Sequence, residues 1–383
     1  MKADCGKGLI YLDCAATSLQ KPKQVYEAVL RAMRTMASPG RGGHAPAMRA
    51  AETAWNCRAA LAETFGVKEI ERVVFTMNAT HGLNIALRTL LGRGDRVVVS
   101  GYEHNAVMRT LEHLGANVDV ARAPLFDRQA VTEAFRDRLS GAKAAVLCHV
   151  SNVFGCILPL EEIASLCLQA GVPLVVDASQ SAGCLHFDFD ALGLRFAAMP
   201  GHKGLLGPQG TGVLLCSEPV EPLLTGGTGS ESERLAMPVF LPDRLEAGTH
   251  NVPGIAGLLA GVEWIRAKGP QRLLRHEQKL ARIAAERLSL VPGVRTFVAP
   301  DASEQAGLLS LAVSGVDCET VAEKLSDAGV AVRAGYHCAP LAHQSGGTAG
   351  TGTVRLSFSP FNTERDVLLA VDKLERIAKN FRN

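Results

Sequence analysis

Apolar positions along this chain recur in two periods. Short, nearly continuous apolar runs predict strands at 73–76, 96–100, 117–121, 144–150, 173–176, 196–199 and 212–215. Between most of them the spacing is helical, as in Leu83, Ala86, Leu87, Leu90 and Leu91, and in the stretch 51–65. A helix from 23 to about 36 precedes this series, and a helical run at 255–265 closes it. Apolar strands alternating with helices predict an α/β fold: a seven-stranded, mainly parallel sheet with helices on both faces. After about residue 265 a smaller C-terminal α/β domain is predicted, with helices near 271–290, 317–328 and 363–380. Its strands fall at 294–298, 308–313, 330–333 and 354–358. No internal repeat or low-complexity linker separates the two.

The polar motifs follow the strands. Thr80, His104, Asn152, Asp177 and Lys203 each come just after an apolar run, where ligands bind in parallel sheets. The turn Asn78-Ala79-Thr80 opens a helix, whose free N–H groups and dipole suit a phosphate, although turns of this kind are common and on its own this one reads first as plain capping by Asn78 or Thr80. Lys203 stands in Gly201-His202-Lys203-Gly204, and Asp177 ends the earlier run 173–176. An acid at one strand end and a lysine at a later one suit pyridoxal phosphate. The lysine would form a Schiff base, and the carboxylate would keep the pyridine nitrogen protonated.

Composition narrows the class without naming a chemistry. The chain has 383 residues, 47% hydrophobic and 20% charged, with a net charge of +2, so neither nucleic acid nor an anionic membrane is favoured as partner. No apolar run approaches the roughly 18 residues that span a bilayer, and no signal-type segment follows the N-terminus, which predicts a cytoplasmic protein. The ten cysteines form no Cys-x-x-Cys pair. Nine read as small buried hydrophobes kept reduced.

Asp177-Ala178-Ser179-Gln180, Gly201-His202-Lys203 and Arg333-Ala334-Gly335-Tyr336-His337-Cys338 occur in this order. Together they resemble the class V aminotransferase superfamily, and within it the NifS-like cysteine desulfurases and selenocysteine lyases. The likeness runs from Tyr11-Leu12-Asp13 to Asn362-Thr363-Glu364. It implies the type I fold of pyridoxal-phosphate-dependent transferases, with a large domain at 16–262 and a small one from 1–15 and 263–383. It also implies cofactor contacts from Ala79, Thr80, His104, Asn152, Asp177, Gln180, His202 and Lys203, with His104 stacked on the ring and moving protons. Thr249 would reach the phosphate of a second subunit, making a homodimer with a shared site, although it also reads as part of a helix N-cap region. The loop holding Arg41 and His44 would lie near that boundary. Two departures are visible: Cys14 stands where the family has asparagine, and Pro200 where it often has serine on the phosphate.

Cys338 differs from the other cysteines. It ends a predicted strand and opens a loop rich in glycine through Gly352, so an exposed, mobile nucleophilic thiol is expected. His337, Cys338 and His343 match no common zinc module, and no metal is expected. Arg355, on a strand that should face the site, suits a bidentate grip on a substrate carboxylate, with Asn152 beside the substrate. The resemblance implies L-cysteine as substrate, Lys203 as base, and Cys338 as acceptor of the sulfur, which a further protein could then receive. Selenocysteine lyase activity, or another class V aminotransferase or lyase activity on a small amino acid, keeps the same lysine and arginine. A non-catalytic scaffold on the same fold would not need them intact.

Overall fold

The computed structural model describes residues 8–39, 42–217 and 219–381. The chain opens with β1 (Ile10–Tyr11), α1 (Lys23–Thr35) and α2 (Ala45–Phe65). There follow β2 (Val73–Thr76), α3 (Ala79–Leu90), β3 (Arg96–Ser100), α4 (Asn105–Leu114), β4 (Asn117–Ala121), α5 (Arg128–Arg136), β5 (Ala144–Cys148), α6 (Leu160–Ala170) and β6 (Leu174–Asp177). The large unit closes with β7 (Phe196–Pro200), β8 (Gly212–Cys216) and α7 (Val252–Lys268). Its seven strands lie in the order β2-β8-β7-β6-β5-β3-β4. Only β8 runs against its neighbours; the remaining pairs are parallel.

Successive strand residues feed opposite faces of this sheet. Val98, Ala145, Leu147, Val176, Ala197 and Met199 pack into the core on one side. Val97, Val99, Val146, Val175, Phe196 and Ala198 pack into the core on the other. Covering both faces explains why β5, β6, β7 and β8 are buried along their whole length and read as continuous apolar runs.

The second unit holds α8 (Pro270–Leu288), β9 (Val294–Phe297), β10 (Leu308–Val313), α9 (Cys318–Asp327), β11 (Val330–Ala331), β12 (Arg333–Gly335), α10 (Pro340–Ser345), β13 (Thr353–Ser357) and α11 (Glu364–Asn380). Its antiparallel sheet has the order β12-β13-β10-β9. Leu309, Leu311, Val354 and Leu356 pack there against Leu280, Val367 and Leu374 of the helices. The run 330–333, expected as one strand, is split. Its first part pairs with β1 and its second with β13, so the chain leaves one ladder for another at Val332. The Ser357 amide donates to the Leu12 carbonyl at 2.8 Å, so the N-terminal segment is stitched to this second unit. α2 begins earlier than its apolar spacing suggests, because Pro46 in its first turn has no amide to leave unpaired. No helix among the described residues is long and apolar enough to cross a membrane.

A buried charge cluster locks α2 to the sheet. Arg58 Nη2 meets Glu246 Oε2 at 2.5 Å, and His250 Nε2 reaches the same oxygen at 3.0 Å. Glu246 Oε1 accepts from the Phe75 amide at 2.7 Å, and the Arg58 guanidinium lies 4.3 Å from the Phe75 ring centre. Burial alone would push the Glu246 acid up, but Arg58 and His250 hold it below its ordinary value. Replacing Glu246 by alanine leaves Arg58 buried without its counter-charge, which should cost about 3–5 kcal/mol and lower the urea midpoint of unfolding accordingly.

Candidate active site

The carboxyl ends of the parallel strands open into a cavity of about 520 Å³, lined by Asn78, Ala79, Thr80, His104, Ala106, Cys148, Val150, Asn152, Asp177, Ser179, Gln180, Pro200, His202 and Lys203. Each arrives from a strand end. Asp177 is the last residue of β6, Pro200 the last of β7, and His104 caps α4 just after β3. Between Pro200 and Lys203 the chain passes Gly201, where a side chain would strike the Thr211 hydroxyl. The glycine is what lets the turn fold tightly enough to aim the lysine back at the sheet.

Burial sets the protonation states. It pulls the Lys203 ammonium down to about 8, with Asp177 opposing the shift and Arg355 adding to it. It lowers His202 to about 4, with Lys203 and Lys21 adding. His104 is also lowered, first by burial, with Asp177 opposing. Its Nδ1 accepts from the Ala106 amide at 3.0 Å, which leaves the ring proton of the neutral form on Nε2. His202 Nδ1 lies 3.0 Å from the Thr17 hydroxyl. Asp177 Oδ1 accepts from the Ser179 amide at 2.9 Å, and Gln180 Nε2 donates to the Ala15 carbonyl at 3.0 Å.

These groups fit a phosphorylated pyridoxal. A buried carboxylate, an amine whose ammonium is pulled well below its ordinary value and a flat imidazole line one cavity. The Asn78-capped start of α3 supplies a seat for anionic oxygens. Asn152 Oδ1, buried in the wall, has no partner among the described residues. Pro200 lines the cavity without a hydroxyl to offer, so a phosphate there depends on Thr80, His202 and backbone amides.

Cys338 is exposed, as expected, but its backbone is docked rather than loose. Its carbonyl accepts from the Asn105 amide at 2.7 Å, and the carbonyl of His337 accepts from Asn152 Nδ2 at 2.7 Å. The short helix α10 then takes up much of the expected loop. His337 and Cys338 have φ of 48° and 57°, two consecutive non-glycine residues in the left-handed region. Such a turn costs of order 1–2 kcal/mol per residue and persists only when neighbours hold it. His337 provides one such hold: its ring is buried, with Nε2 3.1 Å from both the carbonyl and the hydroxyl of Thr353.

Arg355 is buried behind Asn152. Its Nη1 donates to the Asn152 carbonyl and its Nη2 to Asp13 Oδ1, both at 2.8 Å, while Nε has no partner among the described residues. Thr249 is not brought to the cavity. It lines a separate cleft with Phe75, Met77, His81, Glu246 and His250. His44 is exposed at the start of α2, and Arg41 lies outside the described residues.

Three features escaped sequence reasoning. Glu103, between Tyr102 and His104, is a fully buried acid held at about 8, chiefly by burial. Cys148 and Ser179 are part of the cavity wall. A second cleft of about 670 Å³ lies beyond Lys203 and Gln180, with Cys14, Cys184 and Glu277 in its lining. Only Glu103 left a local trace, as a charged residue shortly after the apolar run 96–100.

The family model for class V aminotransferases matches residues 10–369. A probable cysteine desulfurase of Methanothermobacter thermautotrophicus is 33% identical, the match covering 96% of this chain and 94% of that one. One from Pyrococcus abyssi is 31% identical, covering 98% and 96%. Among solved structures, the apo cysteine desulfurase of Thermococcus onnurineus NA1 superposes with a TM-score of 0.90 at 33% identity, covering 97% of this chain and 95% of that one. The cysteine desulfurase CsdA of Escherichia coli, as its S-sulfonic acid form, gives 0.84 at 29%, covering 98% and 95%.

Removing the amide that holds His337 should loosen the cysteine turn without unfolding the protein. In Asn152→Ala, amide hydrogen exchange over residues 336–339 is expected to quicken roughly fivefold, the equivalent of one lost hydrogen bond of about 1 kcal/mol. Exchange in β5 and β6 should stay as it was.

Proposed function

The chain belongs to the class V aminotransferase family, and we propose that within it this protein is a pyridoxal-phosphate-dependent cysteine desulfurase, taking sulfur from L-cysteine and leaving L-alanine. The observation that carries this reading is the exposed Cys338 thiol on a turn docked against Asn105 and Asn152, next to the Lys203 cavity. An aminotransferase needs the lysine and the acid but has no use for a thiol held there.

Lys203 would hold the cofactor, Asp177 its ring nitrogen, and Ala79, Thr80 and His202 its phosphate, with His104 against the ring and Asn152 and Gln180 at its edge. Bound there, pyridoxal phosphate supplies an electron-accepting ring for the negative charge that develops beside the substrate amine. Lys203 Nζ, pulled down to about 8, is suited to take the proton from the substrate Cα at neutral pH. Arg355, whose Nε has no partner among the described residues, and Asn152, whose Oδ1 likewise has none among them, would orient the amino acid, the arginine through its carboxylate. The Cys338 sulfur attacks the substrate sulfur. A sulfur–sulfur bond forms and the Cβ–S bond breaks, its electron pair remaining on Cβ. A proton delivered to Cβ, a role we assign to His104 Nε2, and the return of the proton from Lys203 to Cα complete alanine and leave a persulfide on Cys338. An external thiol or acceptor protein then removes the outer sulfur.

A homodimer fits the surface. Tyr26, Leu30 and Met33 on α1, and Met48 and Trp55 on α2, are exposed apolar side chains. Covering them with a second copy would let Thr249 of one chain serve the cavity of the other.

With L-cysteine and a reductant, the protein should release sulfide and alanine in equal amounts. Cys338→Ala should lose sulfide release by at least two orders of magnitude while keeping the visible cofactor band; a fully active variant would return the protein to the aminotransferases. Cofactor uptake by the apoprotein should quicken as Lys203 loses its proton. Between pH 7 and pH 9 the free-amine fraction of a group titrating near 8 rises roughly tenfold, and the uptake rate, followed by absorbance, should rise with it and level off above that range.

A further inference from the structure

Glu103 is entirely buried, yet the chemistry above gives it no task. Its place in the ladder explains why it is there. β3 and β5 pair in parallel through Val97, Val98 and Val99, set against Ala144, Ala145 and Val146. After Ser100 the chain turns off, with the Gly101 amide donating to the Ala121 carbonyl. The Cys148 amide at the end of β5 therefore has no strand partner on that side. Glu103 Oε1 accepts from it at 2.7 Å and from the Ser100 hydroxyl at 2.5 Å. On its other edge Cys148 stands in register with Asp177 of β6. One carboxyl group thus closes the ends of two strands directly beneath the cavity, and the next residue in the chain is His104.

We propose that Glu103 is a positioning residue of this site: its carboxyl caps β5 and so fixes Asp177 and His104 against the ring of the cofactor. The inference rests on the pyridoxal phosphate reading above. Its charge state suits the task. Burial, with the nearby Asp177 adding, pushes the acid up to about 8, so it stays neutral at pH 7 and sets no second negative charge beside Asp177. What the site requires of residue 103 is then an uncharged acceptor of the right length.

The test compares the pyridoxal phosphate affinity and the absorption maximum of the bound cofactor in the wild-type protein, Glu103→Gln and Glu103→Ala. The glutamine amide oxygen accepts the same two hydrogen bonds, so Glu103→Gln should bind within about threefold of wild type with an unmoved maximum. Glu103→Ala, which strands the Cys148 amide, should bind about tenfold more weakly with a displaced maximum. If the alanine variant does not fold, Glu103→Asp takes its place with the same expectation, since it retains the acid but falls short of Cys148. A glutamine variant as impaired as the shortened one would overturn the proposal, and so would a shortened variant that binds with wild-type affinity and spectrum. No amino acid enters the measurement, so an error in the substrate leaves it untouched. A wild-type protein that takes up no pyridoxal phosphate would overturn both readings.

Discussion

A buried guanidinium joins the parts of this molecule that meet at the cavity. Arg355 stands on the small antiparallel sheet, reaches Asp13 of the N-terminal segment, and donates to the carbonyl of Asn152 in the loop after β5. The Asn152 side chain holds the His337 carbonyl, and one residue on, the Cys338 carbonyl takes the Asn105 amide beside His104. The chain of contacts thus passes from one unit to the other and ends at the thiol. Breaking a buried arginine pair typically costs about 3–5 kcal/mol. Under the proposed chemistry Arg355 must keep these contacts and still offer a donor to a substrate. Its Nε, which has no partner among the described residues, reconciles the two demands, because a guanidinium carries five N–H donors and the structural contacts leave some of them over.

The second constraint is charge. Lysine, histidine and glutamate are normally charged, or partly so, near neutrality, yet burial pushes Lys203, His202 and Glu103 toward their uncharged forms. At pH 7 this leaves His202 and Glu103 mainly neutral, while Lys203, at about 8, is still mostly an ammonium that can give up its proton close to neutrality. Low polarizability around the site strengthens each contact made there. The same burial that makes these groups costly to ionise makes them useful.

How much of this could be read from the sequence divides along physical lines. Strands β5, β6, β7 and β8 were legible because strands covered on both faces must be apolar throughout, and Asp177 and Lys203 were legible because they come at or just after the ends of such runs. The split at Val332 was not, since both halves are short and the first pairs with β1 at the opposite end of the chain while the second pairs with the nearby β13. Cys338 was correctly separated from the buried cysteines by its glycine-rich surroundings. Its docking was not foreseen, because the left-handed turn at His337 and Cys338 has no glycine to announce it and is held by Asn105 and Asn152 from distant loops. Glu103 was missed for a similar reason: its partner is the amide of Cys148, and amides leave no mark on a side-chain pattern.

That turn bears on what the thiol can do. Two left-handed residues in succession, tied at both carbonyls, leave Cys338 little freedom beyond rotation of its own side chain. Under the proposed chemistry the sulfur must be picked up within the cavity mouth and given away at the surface from the same backbone position. A long flexible loop could carry a persulfide to a distant acceptor. A docked turn cannot, so the acceptor has to approach the protein. The entropy of ordering the turn is already lost in the folded protein, so under that chemistry it need not be lost again as substrate arrives. Preorganised attack and short reach are therefore two consequences of one local geometry.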